Sequence, residues 1–113
     1  MPLPKKVRQD VKSIVADYCA KRVPEHARRQ VKMGFVVRGN SITLIEERPH
    51  WQKPDLWIKT PIAQFRYNQK TGKWTLYCAD RNSRWHDYQI EPEKDIRVLL
   101  QEVDVDPTGI FWG

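Results

Sequence analysis

Residues 57–88 read WIKTPIAQFRYNQKTGKWTLYCADRNSRWHDY, and this stretch decides the fold. Ala63, Phe65 and Tyr67 alternate with Ile62, Gln64 and Arg66, and Trp74, Leu76 and Cys78 alternate with Thr75, Tyr77 and Ala79. A period of two puts each set on one face of a strand. A third strand of the chain is therefore expected from about Ile58 or Pro61 to Tyr67, a fourth over Trp74–Asp80 and a fifth over Trp85–Gln89. Pro61 has no N–H to give a ladder, which limits it to a strand start, an edge or a bulge. Between strands, Asn68–Lys73 is a turn in which Gly72 can take positive φ, and Arg81–Arg84 is a polar turn.

Upstream, Val31, Met33, Phe35 and Val37 alternate with Lys32, Gly34, Val36 and Arg38, then Gly39-Asn40 precedes Ile42 and Leu44. This is the pattern of a hairpin with a two-residue loop, pairing Val37 with Ile42, Phe35 with Leu44 and Lys32 with Glu47. The register is self-consistent: apolar residues meet on one face and opposite charges meet across the ladder. Residues 49–56, PHWQKPDL, break both periodicities and read as a loop.

Toward the N-terminus, Val7, Val11, Ile14, Val15, Tyr18 and Cys19 recur at helical spacing between Lys5 and Val23. Pro4 suits the first helical turn and Pro24 marks the far limit. Lys5, Lys6, Arg8, Lys12 and Lys21 leave the other side basic. Downstream, Pro92 suits the first turn of a closing helix carrying Ile96, Leu99, Leu100 and Val103 on one face. Asp106-Pro107-Thr108-Gly109 stops it, and a tail as apolar as Ile110-Phe111-Trp112 is expected to pack back. The sum is an α+β single domain, residues 1–113: an N-terminal helix, about five antiparallel strands in two hairpin-like groups, and a C-terminal helix, with the helices on one sheet face.

Composition bounds the function. In 113 residues, 40 % hydrophobic and 30 % charged, there is material for one core and for a soluble chain. Apolar runs such as FVV and VLL are too short to cross a bilayer and Met1–Pro4 leads into charge, so a cytoplasmic protein without a membrane partner is expected. Cys19 and Cys78 lie too far apart for a metal-knuckle pair and read as buried free thiols. Net charge is +6, with Lys and Arg concentrated before residue 90 and acidic residues after it. Such polarity suits a polyanionic partner at one side of the molecule, though it also occurs on proteins that have none.

The run PIAQFRYNQKTGKWTLYCADRNSRWHDY, with VDVDPTGIFWG at the end, resembles a family of small bacterial proteins classed as a domain of unknown function. The resemblance covers most of the chain. It implies a bacterial single-domain protein and supplies no activity, cofactor or site residue.

Three of the five tryptophans and three of the four tyrosines fall in residues 57–88 among Lys and Arg. If one side of the meander is core, the other is expected to collect Arg66, Thr75, Tyr77, His86 and Tyr88, with Lys73, Arg81 and Arg84 at the rims. That inventory can stack bases and contact phosphates of RNA or DNA; it also suits a solvated sheet face with ordinary cross-strand pairs. Trp51 and Trp57 flank the Pro-containing loop, either at a groove that grips nucleic acid or a protein partner, or as plugs at the sheet end. A third alternative makes His86, Arg66, Tyr88 and Arg84 the acid, base and phosphate clamp of a small metal-independent ribonuclease. Asp104–Ile110 matches the opening of an EF-hand loop, but its twelfth position would lie beyond Gly113, so a capped turn is expected there. The DVDPTG of that segment also resembles the DxDxT loop of aspartate-based phosphatases, which belongs to a much larger fold. Glu46, Glu47 and Asp55 have no clear catalytic geometry, and GxGxxG, P-loop, HExxH and GxSxG patterns are missing. No cofactor and no metal is implied. A non-catalytic binding module for nucleic acid or another polyanion is the leading reading, and a protein-interaction domain the next.

Overall fold

Pro4 opens the first helix with its carbonyl: in the computed structural model, which describes residues 2–23, 25–27 and 30–112, Arg8 N donates to Pro4 O at 2.8 Å. Helix α1 spans Lys5–Arg22 and buries Val11, Val15 and Cys19. Pro4 occupies the position just before the helix, where a missing N–H costs nothing. Pro24, expected to limit the helix, lies outside the described residues, as does Gly113.

After a short 3₁₀ turn at Glu25–Ala27 come β1 (Lys32–Arg38), β2 (Ser41–Pro49), β3 (Trp57–Asn68), β4 (Lys73–Ala79) and β5 (Trp85–Asp87). They form one antiparallel sheet in the order β1-β2-β3-β4-β5, the two hairpin groups being joined by the β2–β3 ladder. The β1–β2 register pairs Val37 with Ile42, Phe35 with Leu44 and Lys32 with Glu47. Gly39 takes φ +58 at the first loop position while Asn40 stays negative, the pattern of a type II′ turn.

Several boundaries differ from the sequence reading, β4 lying one residue earlier at each end than Trp74–Asp80. β3 begins at Trp57 and passes through Pro61, because a register shift at Leu44/Ile45 leaves Pro61 opposite Ile45 in a bulge that asks less of its missing N–H. Residues 58 and 61 are thus interior to the strand, and the loop shrinks to His50–Leu56. β5 ends at Asp87, beyond which Gln89 takes φ +65. The last helix, α2 (Ile96–Val105), starts well after Pro92. Glu93 exchanges two backbone hydrogen bonds with Trp74 (2.7 and 3.0 Å), holding this segment extended along β4, and the Asp95 carboxylate then caps the helix by accepting from Arg97 N.

Both helices lie on one face. Val11, Val15, Cys19, Ile96, Leu99, Leu100 and Val103 pack with Ile42, Leu44, Ala63, Phe65, Trp74, Leu76 and Cys78 in one cluster. Each large apolar side chain so buried stabilises the fold by about 1.5–3 kcal/mol before entropy is counted. The tail docks: Phe111 joins the core, and Trp112 Nε1 donates to Val103 O at 2.8 Å. Asp106, left-handed at φ 47, accepts from the N–H groups of Phe111 and Trp112, so its carboxylate is spent on the capped turn. Past the Lys32–Glu47 pair, β2 and β3 continue without β1 as a projecting arm, and the molecule measures 47 × 27 × 24 Å.

Candidate nucleic-acid interface

The register determines which side chains share the face away from the helices. Thr43 pairs with Gln64 and Gln64 with Tyr77; Ser41 pairs with Arg66 and Arg66 with Thr75; Lys73 pairs with Asn68 at the end of the ladder. None of these is buried, and among the described residues no element covers them. The Arg66 guanidinium lies 3.9 Å from the centroid of the Tyr77 ring. Arg66 Nε donates to Gln64 Oε1 at 2.7 Å, and Gln64 Nε2 donates to Thr43 Oγ1 at 3.0 Å. A chain of hydrogen bonds across two strands therefore holds the guanidinium over the Tyr77 ring. Its outer side is a platform on which a base can stack, while its remaining N–H groups can reach a phosphate.

The fifth strand corrects the expected site. Cys78 pairs with His86, while Tyr77 pairs with Asp87 and Ala79 with Trp85. His86 therefore shares the helix-side face of Cys78, and Tyr88 follows it: its ring packs on Phe111 with centroids 5.0 Å apart, and its hydroxyl donates to Glu102 at 3.3 Å. Trp85 and Asp87 take their places on the open face. The reason lies in the turn. Asp80–Arg84 reverses the chain through Ser83 at φ 59, and alternation cannot be counted across such a turn.

His86 is tied to that turn instead of to Arg66. Asp80 accepts from Asn82 N at 2.8 Å and Arg84 N at 2.9 Å, and its second oxygen lies 2.7 Å from His86 Nε2. The His86 hydrogen bond first, and then the Arg84 N–H, hold the Asp80 carboxyl below its ordinary value. Arg81 and Arg84 sit exposed on this turn. The four residues of the ribonuclease alternative are not assembled: His86 and Tyr88 lie on the helix side, Arg66 on the open side, and Arg84 in the turn.

At the far end of the same face, Lys32 Nζ lies 4.2 Å over the ring of Trp57, and Lys59 pairs with Glu47 at 3.8 Å. Trp57 thus belongs to the open face, whereas Trp51, 84 % exposed, stands at the arm tip with His50 stacked beside it. Gln64, Thr43 and Trp85 are the participants that sequence reasoning missed. Gln64 and Thr43 were legible from alternation; Trp85 reads as a core residue until its register is known. Among the described residues no group of three His, Cys, Asp or Glu side chains is placed to hold a metal ion, and no helix is long and apolar enough to cross a membrane.

Fold and face together define an α+β domain with two helices on one side of a five-stranded meander and an uncovered, cation-bearing sheet surface on the other. The chain belongs to the family described as Domain of unknown function (DUF3024), whose model matches residues 3–113, from before α1 to the terminal glycine. Neither the curated proteins nor the solved structures contain a match to it.

Proposed function

We propose that this protein is a non-catalytic, cytoplasmic binding module for single-stranded nucleic acid. The observation that carries the reading is the uncovered sheet face with Arg66 held over the Tyr77 ring. Register places Lys32, Arg38, Lys59, Arg66 and Lys73 on this face against Glu47 and Asp87, a surplus that favours a phosphate backbone. Arg66 and the half-exposed Trp85 supply planes for bases, and stacking tolerates any base because every base has a π-face. The nucleic acid runs along the strands' outer face, away from the acidic helix α2.

Titration of tryptophan fluorescence with short RNA and DNA at two salt concentrations tests this directly, since Trp85 and Trp57 both sit on the face. Binding that weakens steeply with salt is expected, because each neutralised phosphate releases counterions. No binding at low salt overturns the proposal. A protein-interaction role is the second reading, favoured by the arm tip, where Trp51 is 84 % and Leu56 50 % exposed. Association through that tip would respond weakly to salt.

A further inference from the structure

β1 is the first strand of the sheet, and among the described residues nothing pairs with its outer side. The two-residue loop makes Arg38–Ser41 a hydrogen-bonded pair, and the alternation of an antiparallel ladder then makes Val37, Phe35 and Met33 the residues whose N–H and C=O point away from β2. Three donors and three acceptors are thus presented in a row, at the spacing of a strand. Unpaired edges of this kind are templates for a further strand.

Beside this edge runs a groove of about 510 Å³, walled by Ala16, Cys19 and Ala20 of α1, by Val23 just past its end, and by residues 31–35 on the β1 side, Lys32 and Gly34 among them. The short side chains of Ala16 and Ala20 leave space between helix and strand at this height, so the groove stays open beside Met33 and Phe35, which are only half-buried. The same i, i+4 row of α1 continues toward the N-terminus as Lys12 and Arg8, both exposed. Because Leu3 N donates to Gly39 O, that basic end lies beside the end of β1 nearest the hairpin loop. Asp10 and Asp17 fall on the other side of the helix, so the row opposes no cation with an acid.

We infer that this edge and groove capture an extended peptide segment of another protein, added antiparallel to β1 as a sixth strand, with apolar side chains at alternate positions in the groove and an acidic N-terminal end beside Arg8 and Lys12. Main-chain hydrogen bonds to Met33, Phe35 and Val37 supply affinity and fix the segment as a strand. The groove selects apolar residues every second position, because only one face of the added strand meets it. The two cations select charge and direction, since an antiparallel strand brings its N-terminal end to the hairpin end of β1. This site lies on the helix side of the sheet edge and is independent of the open face.

The probe is a soluble synthetic peptide of about ten residues, two aspartates followed by alternating valine and threonine, compared with the same peptide N-methylated at the amides that would face β1. Hydrogen exchange at Met33, Phe35 and Val37 is followed by NMR on the full chain, with mass in solution measured alongside. Slowed exchange at these three amides with the first peptide and none with the second is expected. Lys12→Glu, an exposed change, should weaken binding about tenfold at low salt. Equal binding of the N-methylated peptide, an unchanged affinity in Lys12→Glu, or no binding at about 1 mM peptide overturns the inference. Protection of the same amides without peptide, together with a dimer mass, overturns it as well by giving the edge to a second copy of the chain.

Discussion

The guanidinium of Arg66 and the ring of Tyr77 are stacked on adjacent strands, 3.9 Å from carbon to ring centroid, with Gln64 locking the arginine from its own strand. Neither residue contributes to the buried cluster on the other face. Arg66→Ala and Tyr77→Ala should therefore each weaken single-stranded nucleic-acid binding by about 1–3 kcal/mol while leaving the fold nearly unchanged. Trp85→Ala should behave like them, and His86→Ala should not, because β5 turns His86 to the helix side. Fluorescence titration of the four variants with the same oligonucleotides decides. Equal losses in all four would mean that the face is not the binding surface.

Gly39 sits at φ +58 in the β1–β2 loop, and a Cβ added there would meet nothing within 4 Å. The cost of a side chain is then purely that of the left-handed backbone. Gly39→Val should destabilise by about 1 kcal/mol or more, since a β-branched residue tolerates this region least. Gly39→Asn should cost less. Denaturant midpoints measure both, and a Gly39→Val midpoint equal to wild type would refute the turn geometry.

How far the sequence carries depends on what sets each register. The β1–β2 pairs were legible because a two-residue loop leaves one alignment that joins Val37 to Ile42 and Lys32 to Glu47. The bulge at Pro61 was legible as an option, since proline has few places in a ladder. The start of β3 stays open between Ile58 and Pro61 in the sequence, the earlier choice lying within a residue of Trp57, because Trp57–Thr60 gain their strand form from pairing with β2 across an irregular loop. Pro92 pointed to a helix start, but Glu93 is held by Trp74, a partner that nothing local announces. On the open face Arg66, Thr75 and Tyr77 followed from alternation within unbroken strands. His86 and Tyr88 did not, because Ser83 resets the count, and the hydrophobicity of Trp85 argued for the wrong side.

Cys19 and Cys78 are both buried free thiols, on α1 and on the core face of β4. Burial pushes the Cys19 thiol up to about 11 and raises Cys78 as well. At pH 8 little of either is thiolate, and the reagent must also reach it. Labelling by an aromatic disulfide should therefore be slow and should speed up with denaturant in step with unfolding. Fast reaction of one thiol in the native protein would show that its element faces solvent.

Asp80 closes the β4–β5 turn with three acceptor contacts, to Asn82 N, Arg84 N and His86 Nε2. These hold its carboxyl below 3.8, the His86 hydrogen bond contributing most. The sign follows from linkage: a carboxylate whose folded value is depressed binds its proton more readily in the unfolded chain. Its contribution is present above the unfolded value of about 3.9 and is lost as pH falls through the folded one. Asp80→Asn cannot titrate, so its thermal midpoint should fall less than that of wild type between about pH 5 and pH 2. The turn is exposed, so the difference should be small and should shrink in high salt. Parallel acid limbs for the two proteins would show that the turn carboxylate is not linked to folding, and the contacts around His86 would then have no energetic role.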